Sequence, residues 1–266
     1  MIFNIPCCHR LFSLFCLRRK FVIYTRMKKS IAILFILCSG LVLHAQSGAK
    51  FNMGVGYGLG THITNEGINF VIGRYNDTRP YLSKPMDEVH FFRGWNFAIE
   101  TYFPKFLMEF EFIGHTSNVS AEAASTSDAR DFKYRMNTYN MGYAYQLTGD
   151  KSKVQGLYGG FDISTISVKS FTRIYTIGAE PGDYYELNWD LIIGLSPYMQ
   201  YAGGRFTWKA YYQWMIYKQN FWDVNYALNP ATWSGDLYEN NEGKANTIGM
   251  VLRVNLWEND RVKSYY

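Results

Sequence analysis

Cysteine, long hydrophobic runs and charged residues are all scarce over most of this 266-residue sequence. All four cysteines lie within residues 1–45, so the rest of the chain cannot form a disulfide scaffold. The histidines that remain there are His62, His90 and His115. Three histidines without any cysteine do not predict a zinc cluster. We therefore expect neither a metal site nor a cofactor.

The charge of the chain is low and unevenly placed. Charged residues make up 18% of the sequence, below the roughly 25% typical of soluble domains, whereas aromatic residues also reach 18%. A chain this aromatic has ample apolar surface to bury, which excludes intrinsic disorder. The formal net charge is +5, but residues 1–45 hold seven of the 27 basic residues and none of the 22 acidic ones. The remainder has a net charge of −2, so a nucleic-acid partner is not expected.

The first 45 residues have the features of a targeting segment. A basic stretch begins at Met27, residues 31–43 are almost wholly apolar, and the small residue Ala45 follows. This order is typical of a cleaved secretory signal peptide, and the apolar run is shorter than the roughly 20 residues of a spanning helix. We interpret the chain as an upstream extension (1–26), a signal peptide (27–45) and one exported domain (46–266).

After residue 48, apolar and polar residues alternate with a period of two. In residues 185–201, the odd positions from Leu187 to Leu195 are all large and apolar, and the even positions are mostly polar or glycine. A helix would spread both sets around its circumference, so this alternation predicts a β-strand. Eight segments share the pattern: 51–59, 95–103, 106–117, 138–147, 155–168, 185–201, 206–217 and 246–257.

Short and long connectors alternate between these segments. The short connectors are 104–105, 148–153 and 202–204, and the long ones are about 61–91, 118–131, 169–184 and 218–244. Such alternation predicts an all-β, antiparallel, up-and-down transmembrane barrel of eight strands, with short turns in the periplasm and long loops outside. Residues 68–76 could form another strand. We interpret them as a flap or strand extension in the first loop, with a ten-stranded barrel as the alternative.

The volume of the two faces decides which one points outward. An eight-stranded barrel has an interior just wide enough for side chains to fill. The apolar face offers four to six large residues in each segment, which is too many for that interior, whereas the opposite face is mainly small or polar. The apolar face therefore points outward, where only lipid or a large partner could cover it. In lipid the sheet must close, because a free strand edge would leave backbone groups without partners.

The pattern over about residues 50–257 resembles the small outer-membrane β-barrel proteins of Gram-negative bacteria, of the eight-stranded OmpA and OmpX kind. This resemblance implies a monomer in the outer membrane, in contact with lipid and lipopolysaccharide. Such barrels usually end on an aromatic residue that closes the last strand. Here the last clear strand residue is Trp257, and a tail of residues 258–266 follows.

Charged residues of both signs lie at positions that the alternation assigns to the interior. Unpaired charges in so narrow a space would be costly, so we expect them to pair into a network that fills the lumen. A gate or proton path, in which the excess of acids favours cations, is the alternative. The predicted network contains Glu100, Glu109, Glu111, Asp162, Glu186, Asp190, Lys209 and Arg253.

Residues 115–118, with the sequence His-Thr-Ser-Asn, form the one motif with possible chemistry. They are similar to the His-x-Ser-Asn signature of the lipid A deacylases, which are eight-stranded outer-membrane barrels. The resemblance implies His115 as general base, Ser117 as nucleophile and Asp131, or alternatively Asp128, as the acid that orients the histidine. In that family the motif lies in a later strand and faces lipid, whereas the alternation here assigns it to the lumen side.

The long loops offer the remaining functional surface. Loop 218–244 holds several aromatic residues among polar ones, which suits a binding surface, and loop 61–91 is charged enough to meet lipopolysaccharide phosphates. We interpret the chain as a structural or surface-binding outer-membrane barrel with a filled polar lumen. The alternatives are a lipid A deacylase-like esterase, and a narrow pore or a component of an envelope secretion assembly.

Overall fold

The computed structural model describes residues 50–124, 128–149, 154–230 and 241–258. The predicted upstream extension, the signal peptide and the tail from residue 259 lie outside the described residues. Within them the strands are β1 (Lys50–His62), β2 (Leu82–Lys84), β3 (Phe91–Phe103), β4 (Phe106–Ala123), β5 (Asp128–Thr148), β6 (Gly156–Thr176), β7 (Tyr185–Gly203), β8 (Phe206–Met215), β9 (Gln219–Asn220), β10 (Glu242–Gly243) and β11 (Thr247–Glu258), and the helices are α1 (Glu66–Asp77) and α2 (Trp222–Leu228).

Eight of these strands form a closed antiparallel ring. Their order is β1-β3-β4-β5-β6-β7-β8-β11, and the ring closes where β11 pairs with β1, with Val55 opposite Val254. Each strand of the ring therefore pairs with its neighbours in the sequence, which is the up-and-down topology. The predicted eight-stranded all-β barrel is confirmed, and the ten-stranded alternative is wrong.

Side chains alternate between the inside and the outside of the ring. On β11, Val251 and Arg253 are fully buried, whereas Met250, Leu252 and Val254 are 47–56% exposed. Outward positions on the other strands are likewise large and apolar, and many inward positions are polar or small. The large apolar face thus points away from the interior, as the volume of the barrel requires.

Residues 68–76 belong to helix α1 and not to a strand. Ile68, Val71, Ile72 and Tyr75 recur at intervals of three and four residues, which places them on one face of a helix, and all four are buried. The interpretation of this segment as a strand extension is wrong, because its apolar residues follow a period of 3.6 rather than two. The segment does lie within the first long connector. No helix of the described chain is both long enough and apolar enough to span a membrane.

Two of the four predicted loops are strand over half or more of their length. The hairpin of β4 and β5 continues to Ala123 and resumes at Asp128, and that of β6 and β7 continues to Thr176 and resumes at Tyr185. Most of 118–131 and about half of 169–184 therefore extend the barrel wall. The other two long connectors carry the helices, α1 in 61–91 and α2 in 218–244. We call the end with the helices the cap end and the end with the short connectors the turn end.

Candidate functional site

The interior of the barrel has two layers of opposite character. Toward the turn end it is polar and holds buried charges, which we call the lower lumen. Toward the cap end it is an apolar cluster, which we call the outer core. The outer core joins the inward side chains of the long strands, such as Phe132 and Met136, to side chains of the two helices, such as Ile72 and Val224.

Lys209 lies at the centre of the lower lumen and is fully buried. Its ammonium donates to Glu111 Oε2 at 2.7 Å and to Asp162 Oδ2 at 2.8 Å, and it also donates to Glu109. It lies 4.0 Å from the ring centroid of Tyr198. These three carboxylates are close enough together to hold a metal ion, but the ammonium already takes the place of a cation among them.

Arg253 is the second buried cation of the lower lumen. Its Nη2 lies 2.8 Å from Glu100 Oε1 and 2.7 Å from Glu109 Oε2, and its Nη1 lies 3.4 Å from Glu111 Oε1. Nη2 also donates to Gln200 Oε1 at 2.9 Å. Glu109 and Glu111 therefore each bind both cations and join the two groups into one network.

Neutral polar side chains donate further hydrogen bonds to Glu100 and Glu111 in this network. Glu100 accepts hydrogen bonds from Asn52 and Tyr102, each at 2.7 Å, and Glu111 accepts from Asn96 at 2.8 Å and Asn140 at 3.0 Å. The lower lumen is crowded. A Cβ atom at Gly142 would lie 1.8 Å from Asp162 Oδ1, so only glycine fits there.

Two residues of the predicted network lie outside it. Glu186 is exposed and pairs with Lys169 at 2.7 Å, near the start of β7. Asp190 accepts hydrogen bonds from Asn188 and from the backbone of Asn220. Both stand in the first part of β7 near the cap end, above the level of Lys209. The prediction of one network of eight is therefore too wide. A β-bulge in the pairing of β6 with β7 turns Glu186 outward, and parity along a strand does not give the depth of Asp190.

The structure does not bring together the three residues that the deacylase resemblance implies. His115 and Ser117 are buried on the inward face of β4, and His115 Nε2 lies 3.4 Å from the hydroxyl of Tyr211. Asp131 pairs with Arg173 at 2.7 Å on the outward side of β5. In the register of β4 and β5, His115 stands opposite Met136, five residues from Asp131 and so roughly 17 Å along the strand. Asp131 therefore cannot orient His115.

The polarity of the two faces reverses toward the cap end, while the alternation of side chains continues unchanged. On β5, Phe132, Tyr134 and Met136 point inward and are fully buried, whereas the cations Lys133 and Arg135 take the outward positions. Nearer the turn end the same strand has Tyr139 and Tyr143 outside. The outer surface thus changes from an apolar belt to a charged and aromatic one along a single strand.

The helices form a cap held by polar contacts. Arg79, just after α1, donates from Nη2 to the carbonyl of Leu228 at 2.7 Å and from Nη1 to Asn229 Oδ1 at 3.2 Å. Asn229 in turn donates to the carbonyl of Val71 at 3.3 Å. These bonds tie the end of α2 to α1 across the top of the outer core. The cap is therefore one structure built from two distant connectors.

Two cavities open at the rim of the cap. One of about 460 Å³ lies between the start of α1 and the segment around Lys244. The other, of about 520 Å³, lies between the end of α1 and the inner faces of β4, β5 and β6, and Arg79 and Arg130 line it. The sequence pattern marks Arg79 only as one of several loop charges and does not single out Arg130. The signal that could find Arg130 is its place on the reversed part of β5, where inward residues are otherwise apolar.

No protein-family model matches the sequence, and no curated protein sequence matches it significantly. Among solved structures, the chain is similar to Ail, the attachment invasion locus protein of Yersinia pestis, determined in complex with the heparin analogue sucrose octasulfate. The alignment covers 78% of this chain and 99% of that chain, with 10% sequence identity and a TM-score of 0.39. The closed ring of strands in this structure itself shows a small eight-stranded barrel. Nothing in the comparisons ties the chain to the OmpA and OmpX proteins in particular.

Proposed function

We propose that this chain is an outer-membrane β-barrel protein with a filled lumen that presents its cap end to the outside of the cell as a binding surface. The observation that carries the proposal is the apolar belt around a closed ring of strands. Outward residues on all eight strands contribute to it, among them Trp95, Tyr143, Ile193, Trp214 and Leu252. Soluble monomers rarely expose apolar patches above a few hundred Å², so a continuous belt requires lipid around it.

The height of the belt suits an outer membrane. On β11 the outward apolar side chains run from Ile248 to Leu256, which is roughly 27 Å along the strand. A strand tilt of about 40° reduces this to roughly 20 Å along the barrel axis, close to the apolar band of about 25 Å in outer-membrane barrels. A cleaved signal peptide at residues 27–45 would supply the export that this location needs.

The proposed orientation places the turn end in the periplasm and the cap end outside. Short periplasmic turns and long outer connectors are the usual arrangement in such barrels. Above the belt, Lys133, Arg135 and Arg173 stand on the outer surface of β5 and β6, where they would meet lipopolysaccharide phosphates. The proposed partners are therefore outer-membrane lipid, lipopolysaccharide and a ligand bound through the connectors 61–91 and 218–244, and the proposed state is a monomer.

The rival functions gain no specific support. A pore would need open space where the lower lumen holds Lys209, Arg253 and their carboxylates. A lipid A deacylase would need its motif on the lipid side, whereas His115 and Ser117 point inward. No described surface marks the chain as a component of a secretion assembly.

Single cysteines test the proposed location and orientation, because residues 46–266 contain no cysteine. Ile177→Cys lies at the cap end and Arg205→Cys in a short connector at the turn end. With a membrane-impermeant maleimide, we expect Ile177→Cys to be labelled in intact cells and Arg205→Cys to be labelled only after the outer membrane is permeabilised. Labelling in the reverse order would contradict the orientation. Recovery of the protein in the soluble fraction would contradict the location.

A further inference from the structure

The 520 Å³ cavity at the rim of the cap, which we call the rim pocket, has the size of a small-molecule site. Tyr75 and Arg79, at the end of α1, form one wall. Arg130 and Ile174 form the opposite wall, as direct neighbours in the pairing of β5 with β6. The rim pocket therefore lies inside the rim of the barrel, at the end proposed to face the cell exterior.

Arg130 carries a charge that no described residue balances. It makes no hydrogen bond or ion pair within the described chain, and its Nη1 is shielded from solvent without a partner. Its contact is with the ring of Tyr75, whose centroid lies 5.5 Å from the guanidinium carbon. Removing a charged group from water without a partner is costly, so native proteins pair such groups. An anionic ligand would supply the missing partner.

Arg79 adds a second positive charge to the same pocket. Its guanidinium lies 4.0 Å from the centroid of Tyr75, and its hydrogen bonds go to neutral oxygens of Tyr75, Thr78, Leu228 and Asn229. These bonds fix its position but leave its charge uncompensated. Burial raises the pKa of Tyr75, while Arg130 and Arg79 act in the opposite direction, as two cations beside its hydroxyl would. Asp128, at the edge of the lining, is exposed.

The rest of the lining is apolar, and two of its residues are exposed to solvent. Tyr81 is 55% exposed and Ile174 is 58% exposed, and alanines complete the wall. A bare phosphate or sulfate would fill only a small part of this volume. The aromatic ring of Tyr81 lies in the same pocket as the cations of Arg79 and Arg130. This combination suits a molecule that has an anionic group at one end and a sugar-sized body at the other.

We propose that the rim pocket binds a sugar that carries a phosphate or sulfate group. The oxyanion contacts Arg130 and Arg79, and the sugar lies against Tyr81 and Ile174. Arginine suits this task because its planar fork can donate two parallel hydrogen bonds to an oxyanion. The inference rests on the proposed role of the cap end as a binding surface and gives that surface a ligand class.

Titration calorimetry on the full-length protein in detergent micelles tests the proposal. The probes are glucose 6-phosphate, glucose 6-sulfate, glucose and inorganic phosphate. We expect both anionic sugars to bind, and glucose and inorganic phosphate to bind at least about tenfold more weakly. No binding of the anionic sugars would overturn the proposal. Inorganic phosphate binding as tightly as glucose 6-phosphate would also overturn it, because the cavity walls would then contribute nothing.

Matched variants locate the site. Arg130→Gln removes the inward charge, and its control Arg135→Gln removes the same charge from the outward face of the same strand. We expect Arg130→Gln to weaken binding of the anionic sugars at least about tenfold, and Arg135→Gln to change it by less than about twofold. An equal loss in both variants would overturn the proposal in favour of general charge attraction. Tyr81→Ala should weaken binding of glucose 6-phosphate and leave binding of inorganic phosphate unchanged.

The folding of Arg130→Gln provides a separate readout. Because Arg130 has no described hydrogen bond to lose, the melting temperature without ligand should not fall below that of the wild type. A clear fall would reveal a structural partner for Arg130 and overturn the proposal. If added lipopolysaccharide competes with glucose 6-phosphate for the pocket, the natural ligand is a lipid-borne sugar. If it does not compete, the natural ligand is a free sugar. Binding in micelles does not depend on location in the cell, so its failure would leave the cysteine-labelling result standing.

Discussion

At the scale of single residues, the two buried cations act as braces across the ring. Lys209 on β8 reaches Glu109 and Glu111 on β4, which is the strand opposite β8 in the ring of eight. Arg253 on β11 reaches Glu100 on β3 as well as the same two acids. Each cation therefore links walls that share no backbone hydrogen bonds. The network thus ties opposite sides of the barrel together.

Removing one cation should destabilise the barrel strongly. Lys209→Met leaves three buried carboxylates without their shared partner, and breaking a buried ion pair on one side costs about 3–5 kcal/mol. Reversible denaturant unfolding in phospholipid vesicles, followed by tryptophan fluorescence, would measure the change. The matched control is Lys84→Met, which removes an exposed pair with Glu122 at 3.3 Å and should cost less than about 1 kcal/mol. Equal losses in the two variants would contradict the bracing role.

The sequence predicts which charges face inward but not how they pair. Parity along the strands is enough to place Lys209 and Glu109 in the interior. Depth is a different matter, because Asp190 lies on the same alternation yet stands near the cap end, beside Asn188 and the backbone of Asn220. Arg130 is a further example, since its neighbour Tyr75 comes from a helix more than fifty residues away in the sequence. Contacts between distant segments are not encoded in local periodicity.

At the scale of elements, a change of period or of face marks where the barrel wall meets the cap. The period changes from two to 3.6 at Ile68, which produces α1 instead of a strand. On β5 the period stays at two, but the apolar face moves from outside to inside near Met136. The eight strands are predictable because their apolar residues keep to the outward face throughout the belt. Beyond the belt the apolar face moves inward, so the sequence pattern does not reveal the strand extensions.

The cap should be removable without loss of the barrel. Ile72 is fully buried in the outer core, and an isoleucine-to-alanine change in a core typically costs about 2–5 kcal/mol. We expect Ile72→Ala to loosen α1 and to expose the 61–91 connector to limited proteolysis, while the barrel keeps its heat-resistant mobility on gels. The control Asp77→Ala, at the exposed end of the same helix, should leave the cleavage rate near that of the wild type. Global unfolding of Ile72→Ala would show that cap and barrel fold as one unit.

At the scale of the whole molecule, belt, lower lumen and outer core form a consistent set. The ring exposes its apolar side chains where lipid would cover them, and it encloses its charges where they pair with one another. Beyond the belt, the wall encloses an apolar core of the kind found in water-soluble proteins, beneath a polar cap. Apolar and polar residues thus exchange faces along the same strands, as two solvents in succession would require.

If lipid surrounds the belt, an arginine should destabilise the protein at an exposed belt position but not at an exposed position of the cap end. Leu252 is 56% exposed at the middle of the belt on β11, and Ile177 is 48% exposed at the cap end just after β6. A cation on the lipid face near the bilayer midplane costs about 2–4 kcal/mol, whereas a surface position in water tolerates it within about 0.5 kcal/mol. Leu252→Arg should therefore lower the free energy of unfolding in phospholipid vesicles by about 2–4 kcal/mol, and Ile177→Arg should leave it nearly unchanged. If both variants unfold like the wild type, the belt faces water and the membrane assignment fails. A surface in water tolerates an arginine at either of two similarly exposed positions.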